Sequence, residues 1–383
     1  MHQTNWPHFS FKNNQTYLTL RKPLKKILAD ITPVESRGNR PFQMTMEQFL
    51  DILIYHHLTT PESGRHLIQE LKQDFFARRT IAPPEGINKS SFCEAMHSRR
   101  VEFFFQVFTA LTDRASSVLP KEYDHLGDLI AIDGTFIDAT LSMLWADYNK
   151  DIKKAKAHVG FDLNRSIPSK ITLTSGKGDE RKEVKYLLLP GQTGVTDRYY
   201  QYHKYFDLWQ SQGIHFVCRI REGTTKTVRK ENPLLAGSIV FYDAMVRLGS
   251  TKDTYTQQDV RVIGYYVGPK VYWLATDRLD LSAEQIAGIY HLRWKIEIFF
   301  GWWKRHLNVY HLLTRSWNGL MIQLLAGLIT YLLLAIYCQE KFQEKVSIQR
   351  VRELRIAIRN EAILSLSSHS LHHKRKDFAF FQP

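Results

Sequence analysis

The chain has 383 residues, which is long enough for two or three domains, each with its own core. Hydrophobic residues make up 44% of it and charged residues 23%, which excludes a largely disordered protein. Lys and Arg total 52 against 38 Asp and Glu, giving a formal net charge of +14. We therefore expect an acidic partner, most commonly nucleic acid, and a basic soluble protein without such a partner is the alternative.

The use of cysteine indicates a reducing compartment. Cys93, Cys218 and Cys338 lie far apart and form no CxxC pair, which argues against a disulfide framework and against a zinc site. The polar start Met1–Pro7 lacks the apolar segment of a signal peptide. We therefore expect a cytoplasmic protein.

The first 120 residues are predicted to form a helical N-terminal region that binds DNA. A capping box at Thr45–Gln48 predicts a helix to about Leu58, a second helix is expected over His66–Arg78, and a third begins near Asn88. Two short helices of this kind are compatible with helix-turn-helix DNA binding and equally with any small helical bundle. The basic residues near the last helix are the candidate DNA contacts Lys89, Arg99 and Arg100.

Residues 121–340 have a different pattern, in which short apolar strands alternate with helices. The predicted strands are Leu129–Ile132, Ala157–Leu163, Ile167–Thr174, Gly194–Thr196 and Ile214–Ile220. This alternation predicts an α/β domain. Within it, the β-branched alternation of about 222–276 predicts an inserted β-rich subdomain. Residues 341–383 are predicted to be a basic helical C-terminal tail.

One segment is apolar enough to require a choice between a membrane span and a core helix. Met321–Cys338 carries no charge over 18 residues, which meets the lower limit for a span. Gln323 and the Arg-rich, aromatic neighbourhood favour the buried centre of a large domain. We predict a buried helix and no membrane contact.

Two aspartates follow predicted strands and are candidate metal ligands, because phosphodiester cleavage commonly uses two divalent cations held by carboxylates. Asp133 follows Leu129–Ile132, although Asp133-Gly134 is also a favoured hairpin turn, and Asp138 is a nearby competitor. Asp197 follows Gly194–Thr196, where the alternative role is a helix N-cap. The same Thr-Asp-Arg tripeptide recurs at Thr276–Arg278, so it does not discriminate by itself.

The third candidate acid, Glu297, lies on a helix predicted from Ser282 to about His306. Tyr290, Arg293 and Lys304 fall within an arc of roughly 60° that includes Glu297, beside an apolar stripe. The alternative is a solvated face with an Arg293–Glu297 ion pair.

These residues resemble the Tyr-Arg-Glu-Lys signature of the insertion-sequence-four family of bacterial transposases. The signature is Tyr290-x2-Arg293-x3-Glu297-x6-Lys304, within IYHLRWKIEIFFGWWKRH. Upstream, AIDGTFIDAT, KAHVGFDL and VTDRYY with GIHFVCRIRE are similar to the family's two aspartate blocks and the strand between them. The resemblance covers about residues 125–335.

The resemblance implies a ribonuclease-H-like catalytic domain with Asp133, Asp197 and Glu297 as the catalytic, metal-binding triad. It implies two Mg²⁺ ions, for which Mn²⁺ could substitute, and cut-and-paste transposition of double-stranded DNA by a homodimer that acts on terminal inverted repeats and target DNA. Two groups of DNA contacts are implied. Tyr290, Arg293 and Lys304 are implied to contact phosphates. Either Tyr272 or Trp273 is implied to stack on a flipped base.

Two features depart from the family pattern. The family usually has Gly after Asp-Arg, where this chain has Tyr199-Tyr200, and the C-terminal part is short. An inactive or domesticated descendant that binds DNA without cutting it is the alternative. The intact acids and the intact Tyr, Arg and Lys favour the active enzyme.

Overall fold

A computed structural model describes residues 14–31, 44–251 and 254–378. The expectation for the polar start of the chain lies outside the described residues. The chain divides into two compact units, one formed by the helices up to Val118 with the chain from Trp303 onward, and the other by Leu119–Trp302. This division differs from three consecutive domains because the last two helices pack with the N-terminal ones.

The helices of both units follow one another in chain order. They are α1 (Gln15–Asp30), α2 (Met46–Thr59), α3 (Gly64–Gln73), α4 (Lys89–Ser98), α5 (Val101–Val118), α6 (Glu180–Leu187), α7 (His203–Ser211), α8 (Ala283–Leu292), α9 (Trp294–His306), α10 (Trp317–Phe342) and α11 (Ile348–Phe378). Polar side chains start several of them, as in the capping box of Thr45 and Gln48 at α2.

The apolar segment forms α10 in the first unit. This helix is long and apolar enough to cross a membrane, but 94% of its most apolar window is buried inside the protein, where α10 packs on α2 and α5. The side chain of Gln323 accepts a hydrogen bond from Leu313 N at 3.0 Å and donates one to His311 O at 2.9 Å. The predicted buried helix is observed, and the buried amide of Gln323 is satisfied within the unit.

The second unit is built on one sheet. Its strands are β1 (Leu129–Ala139), β2 (Lys153–Asp162), β3 (Ile167–Ser175), β4 (Thr193–Thr196), β5 (His215–Ile220), β6 (Lys226–Glu231), β7 (Val240–Leu248), β8 (Val260–Val267) and β9 (Lys270–Thr276). Their order is β3-β2-β1-β4-β5-β9-β8-β7-β6, with β1, β4 and β5 parallel and the remaining pairs antiparallel. The β-rich segment predicted over 222–276 thus extends the same sheet.

Helices cover both faces of this sheet. Ile130 and Ile132 share a core with Val184 of α6 and Trp209 of α7. Side chains alternate along a strand, so Ala131 and Asp133 point to the opposite face. Phe161, the partner of Ala131 on β2, lies there against Phe299 of α9, with ring centroids 5.0 Å apart. The α/β architecture is confirmed, and Asp133 faces the layer that contains α9.

The helix predicted from Ser282 to His306 is interrupted, which corrects the prediction of one continuous helix. Ser282 caps α8 as expected, but Arg293 separates α8 from α9. At the break, Arg293 N donates to Tyr290 O and Ile296 N to Arg293 O, both at 3.1 Å. These contacts span three residues instead of four, so the backbone tightens there, while Arg293 still contacts both the Tyr290 ring and the Glu297 carboxylate.

Candidate active site

Asp133 lies in β1 and Asp197 directly after the neighbouring parallel strand β4, at equivalent positions. The last paired residues of β1 and β4 are Ala131 and Val195. Asp133 lies two residues further along β1, Asp197 lies two residues beyond Val195 and directly after the end of β4, and neighbouring strands are about 4.8 Å apart. The two carboxylates are therefore neighbours at the edge of the sheet where β4 ends.

The alternative that Asp133-Gly134 forms a hairpin turn is wrong. Strand β1 continues to Ala139, and Asp133 and Gly134 pair with Val159 and His158 of β2. The expectation that the strand ends at Ile132 is corrected in the same way. The competitor, Asp138, lies further along β1, where its exposed carboxylate forms an ion pair with Lys154 at 3.2 Å.

Asp197 acts as a helix N-cap, the role that was the alternative to metal binding. Its Oδ1 accepts a hydrogen bond from Tyr199 N at 2.8 Å and begins the short helical turn Arg198–Tyr200. This bond holds the carboxylate at the end of β4. The second Thr-Asp-Arg has a structural role, because Asp277 accepts a hydrogen bond from Phe216 N at 2.9 Å and joins β5 to the end of β9.

Arg293 connects two of the three predicted acids. Its guanidinium lies 3.5 Å from Asp133 Oδ2 and also forms an ion pair with Glu297. Only 12% of the Arg293 side chain is exposed, against 24% for Asp133 and 32% for Glu297. This is not the solvated surface pair of the alternative interpretation, because Glu297 on α9 is linked through Arg293 to β1.

The electrostatic environment of Asp133 favours binding of a cation. Burial raises the pKa of Asp133 to about 7, helped by the negative charges of Asp197 and Glu180. The Arg293 guanidinium and the Gly134 N–H act in the opposite direction. Such a carboxylate is ionised more readily when a cation is next to it.

The donor set fits a hard divalent cation, which prefers carboxylate oxygens. No three His, Cys, Asp or Glu side chains of the described residues converge into a ready-made metal cluster. The guanidinium of Arg293 lies instead between Asp133 and Glu297. A cation held by both acids would replace the positive charge that Arg293 now provides.

The structure contains a hydrogen-bonded network beside these acids that the sequence did not predict. On the other face of β1, the Glu180 carboxylate accepts hydrogen bonds from Lys156 Nζ and from the Tyr200 hydroxyl, both at 2.9 Å. A Cβ on Gly134 would lie only 3.0 Å from the Glu180 carboxyl carbon, so a side chain at this position would require the Glu180 carboxylate to shift. The network links the backbone next to Asp133 to the turn that follows Asp197.

Tyr200→Phe tests this network. The change removes only the hydroxyl of the buried Tyr200 that bonds the partly exposed Glu180 carboxylate, so the free energy of unfolding should fall by about 1–3 kcal/mol. Tyr199→Phe is the matched control, because the neighbouring Tyr199 side chain is about half exposed. Thermal unfolding of both variants measures the difference. Equal melting temperatures would show that the bond to Glu180 contributes nothing to stability.

The predicted base-stacking residues Tyr272 and Trp273 point to opposite faces of β9. Tyr272 stacks under Arg219, 4.4 Å from its ring centroid, and lies 6.1 Å from the ring of Tyr290. Trp273 packs against the core on the other face, with Lys226 4.3 Å from its ring centroid. Of the two, Tyr272 is therefore the one that lies beside the signature tyrosine.

The remaining predicted DNA contacts belong to the other unit. Lys304 is in the last turn of α9, with its ammonium 5.4 Å from the Tyr310 ring centroid. Arg99 is buried and donates a hydrogen bond to Met44 O at 2.6 Å, which secures the end of α4. Lys89 and Arg100 are exposed.

Comparison with known proteins connects these residues to one family. A family model described as a transposase DDE domain matches residues 124–333, a range that contains Asp133, Asp197 and Glu297. A probable transposase for insertion sequence element IS5377 of Geobacillus stearothermophilus is 29% identical over 231 residues, covering 59% of this chain and 61% of that protein. A putative transposase, y4zB, of Sinorhizobium fredii is 28% identical over 260 residues, covering 66% and 72%.

A third relative is more distant. The putative transposase for insertion sequence element IS4SA of Synechocystis is 23% identical over 282 residues, covering 70% of this chain and 78% of that protein. The aligned region thus spans between 61% and 78% of these relatives.

Proposed function

Because the chain belongs to the transposase DDE domain family, we propose that it is an active DNA transposase, which cleaves DNA at the ends of an insertion sequence and joins those ends to target DNA. The observation that supports this most directly is that Asp133 on β1 and Asp197 just after β4 each follow the paired residues Ala131 and Val195 by two positions. Glu297 is linked to Asp133 by Arg293. Three carboxylates from separate elements meet the requirement of metal-dependent phosphoryl transfer.

We propose that the catalytic domain is ribonuclease-H-like. The support is the strand order β3-β2-β1-β4-β5, in which three antiparallel strands precede two parallel ones. Strands β6 to β9 then form the insertion between Asp197 and Glu297. The helices before β1 would form the N-terminal DNA-binding region.

We propose that Asp133, Asp197 and Glu297 hold two Mg²⁺ ions, for which Mn²⁺ can substitute. Such ions activate the attacking oxygen and stabilise the leaving oxygen of a phosphodiester. The chain's own contribution is to hold the carboxylates in place. Asp197 is fixed by the Tyr199 N–H, and Asp133 by its own strand and the Gly134 N–H.

For DNA, the proposal assigns phosphate contacts to Tyr290, Arg293 and Lys304, and base stacking to Tyr272 before Trp273. In the structure Tyr290 is only 7% exposed, and Arg293 is paired with two carboxylates. Their use as phosphate ligands therefore requires Arg293 to leave the acids, which a cation at those acids would favour by replacing its charge.

Phosphate contacts position DNA without specifying its sequence, so another region must recognise the terminal inverted repeats. We assign this role to residues 1–120, with the exposed cations Lys89 and Arg100 as contacts and Arg99 as a support. The protein is proposed to act in the bacterial cytoplasm as a homodimer that holds both transposon ends.

The proposal is tested with the full chain and DNA that carries the ends of the insertion sequence, incubated with Mg²⁺ or Mn²⁺. The expected products are strands cut at the element's ends, and then ends joined to a target plasmid. Specific binding of these ends without any cut strand would instead support the inactive, DNA-binding descendant.

A further inference from the structure

The sequence departs from the pattern of the family it resembles at Tyr199-Tyr200, and the two tyrosine side chains lie in different environments. Tyr200 is buried in the Glu180 network, whereas Tyr199 is 51% exposed and Tyr202 is 43% exposed. We propose that Tyr199, Tyr202 and the neighbouring basic residues Arg181 and Lys185 form a binding surface, here called the tyrosine surface, for unpaired bases of a DNA strand. This inference rests on the proposed transposase function.

The tyrosine surface is continuous across two elements. The guanidinium of Arg181 on α6 lies 5.8 Å from the ring centroid of Tyr199 and 5.3 Å from that of Tyr202. Arg181 is itself held by Asp179 through hydrogen bonds of 2.8 and 3.0 Å. Lys185 follows Arg181 by four residues, so both lie on the same side of α6. The rings are therefore held in place while about half of each side chain stays accessible.

The charge of this region suits a polyanion. From residue 179 to residue 204, every exposed charged side chain is basic, and the group consists of Lys182, Lys185, Arg198 and Lys204. The acids of the same stretch are only partly exposed, and two of them are engaged, Glu180 by Lys156 and Asp179 by Arg181. Exposed aromatic rings among basic side chains are the combination by which proteins bind single strands.

The position of the surface identifies which part of the DNA it would bind. Tyr199 N donates to Asp197 Oδ1 at 2.8 Å, so the surface begins two residues from a proposed metal ligand. A strand whose phosphate lies at Asp197 would therefore bring its adjoining nucleotides to Tyr199 and Tyr202. Rings can stack only on bases whose faces are open, and in a duplex neighbouring base pairs cover those faces. The expected ligand is thus an unpaired segment next to the cleavage point.

The test measures DNA binding by the full chain in EDTA, so that no strand is cut. Two fluorescent DNA probes contain the same duplex sequence. One probe has blunt ends, and the other carries a single-stranded oligothymidine tail. The variant Tyr199→Ala/Tyr202→Ala should bind the tailed probe roughly tenfold more weakly than the parent protein, while its affinity for the blunt duplex changes about twofold at most. Tyr199→Phe/Tyr202→Phe keeps both rings and should bind as the parent does.

Tyr266→Ala is the matched control, because Tyr266 lies on β8 and is 50% exposed. Equal losses on both probes, loss of tailed-probe binding in the Phe variant, or no loss in the Ala variant would each overturn the assignment of base stacking. A parent protein that binds neither probe would contradict the proposed function itself. If the parent protein and the Ala variant bind each probe equally well, only the proposal of the tyrosine surface is contradicted.

Discussion

Replacing Asp133, Asp197 or Glu297 by its amide is expected to lower Mg²⁺-dependent cleavage of transposon ends on the order of 10³-fold or more. Each change removes one negative charge that holds the cations while preserving the shape of the side chain, and the loss of one stabilising group in an active site commonly costs that much. Binding of end DNA should change little, because the exposed basic residues that are proposed to contact DNA are intact. Cleavage and binding are measured on the same labelled DNA.

Asp138→Asn is the matched control for this series. Asp138 lies on the same strand as Asp133, but its carboxylate is exposed and paired with Lys154. The control should cleave at the parental rate. Cleavage near that rate by Asp133→Asn, Asp197→Asn or Glu297→Gln would remove the residue concerned from the triad.

Arg293→Gln is expected to destabilise the protein without Mg²⁺ and to make its stability more dependent on Mg²⁺. The change leaves Asp133 and Glu297 without the cation that separates their charges, which should lower the free energy of unfolding by about 1–3 kcal/mol for partly buried groups. Added Mg²⁺ can supply the missing positive charge. The increase in melting temperature that Mg²⁺ produces should therefore be larger in the variant than in the parent protein.

Lys295→Gln provides the control for a lost charge on the same helix, because Lys295 pairs with Glu122 at 3.2 Å, away from the three acids. Its response to Mg²⁺ should equal that of the parent protein. An Arg293→Gln variant whose melting temperature responds to Mg²⁺ no more than Lys295→Gln would mean that Arg293 and the metal do not share a site.

The strand positions of the candidate acids could be predicted from local sequence. Short apolar runs before Asp133 and Asp197 indicated strands, and β1 and β4 begin close to where those runs do. The end of β1 could not be predicted, because Asp-Gly favours a turn in isolation. Here both residues stay in the strand because Asp133 pairs with Val159 and Gly134 with His158 of β2.

The network of Lys156, Glu180 and Tyr200 was not predictable for a related reason. Lys and Glu are ordinarily surface residues, and nothing in their spacing shows that two strands and a helix bury them together. The break at Arg293 also depends on tertiary contacts, because the local sequence continues the apolar pattern of one helix. Sequence therefore indicated which residues carry charge near the site, and the packing of distant elements determined how those charges pair.

The central claim, that Asp133, Asp197 and Glu297 bind divalent metal, can be measured without knowing the DNA sequence that the protein recognises. Fe²⁺ is allowed to replace Mg²⁺, and ascorbate with peroxide then generates radicals that cut the polypeptide next to the bound iron. The claim predicts cuts clustered near residues 133, 197 and 297, which excess Mg²⁺ suppresses and which Asp133→Asn weakens but Asp138→Asn does not. Cuts that occur only elsewhere, or that persist unchanged in Asp133→Asn, would contradict it.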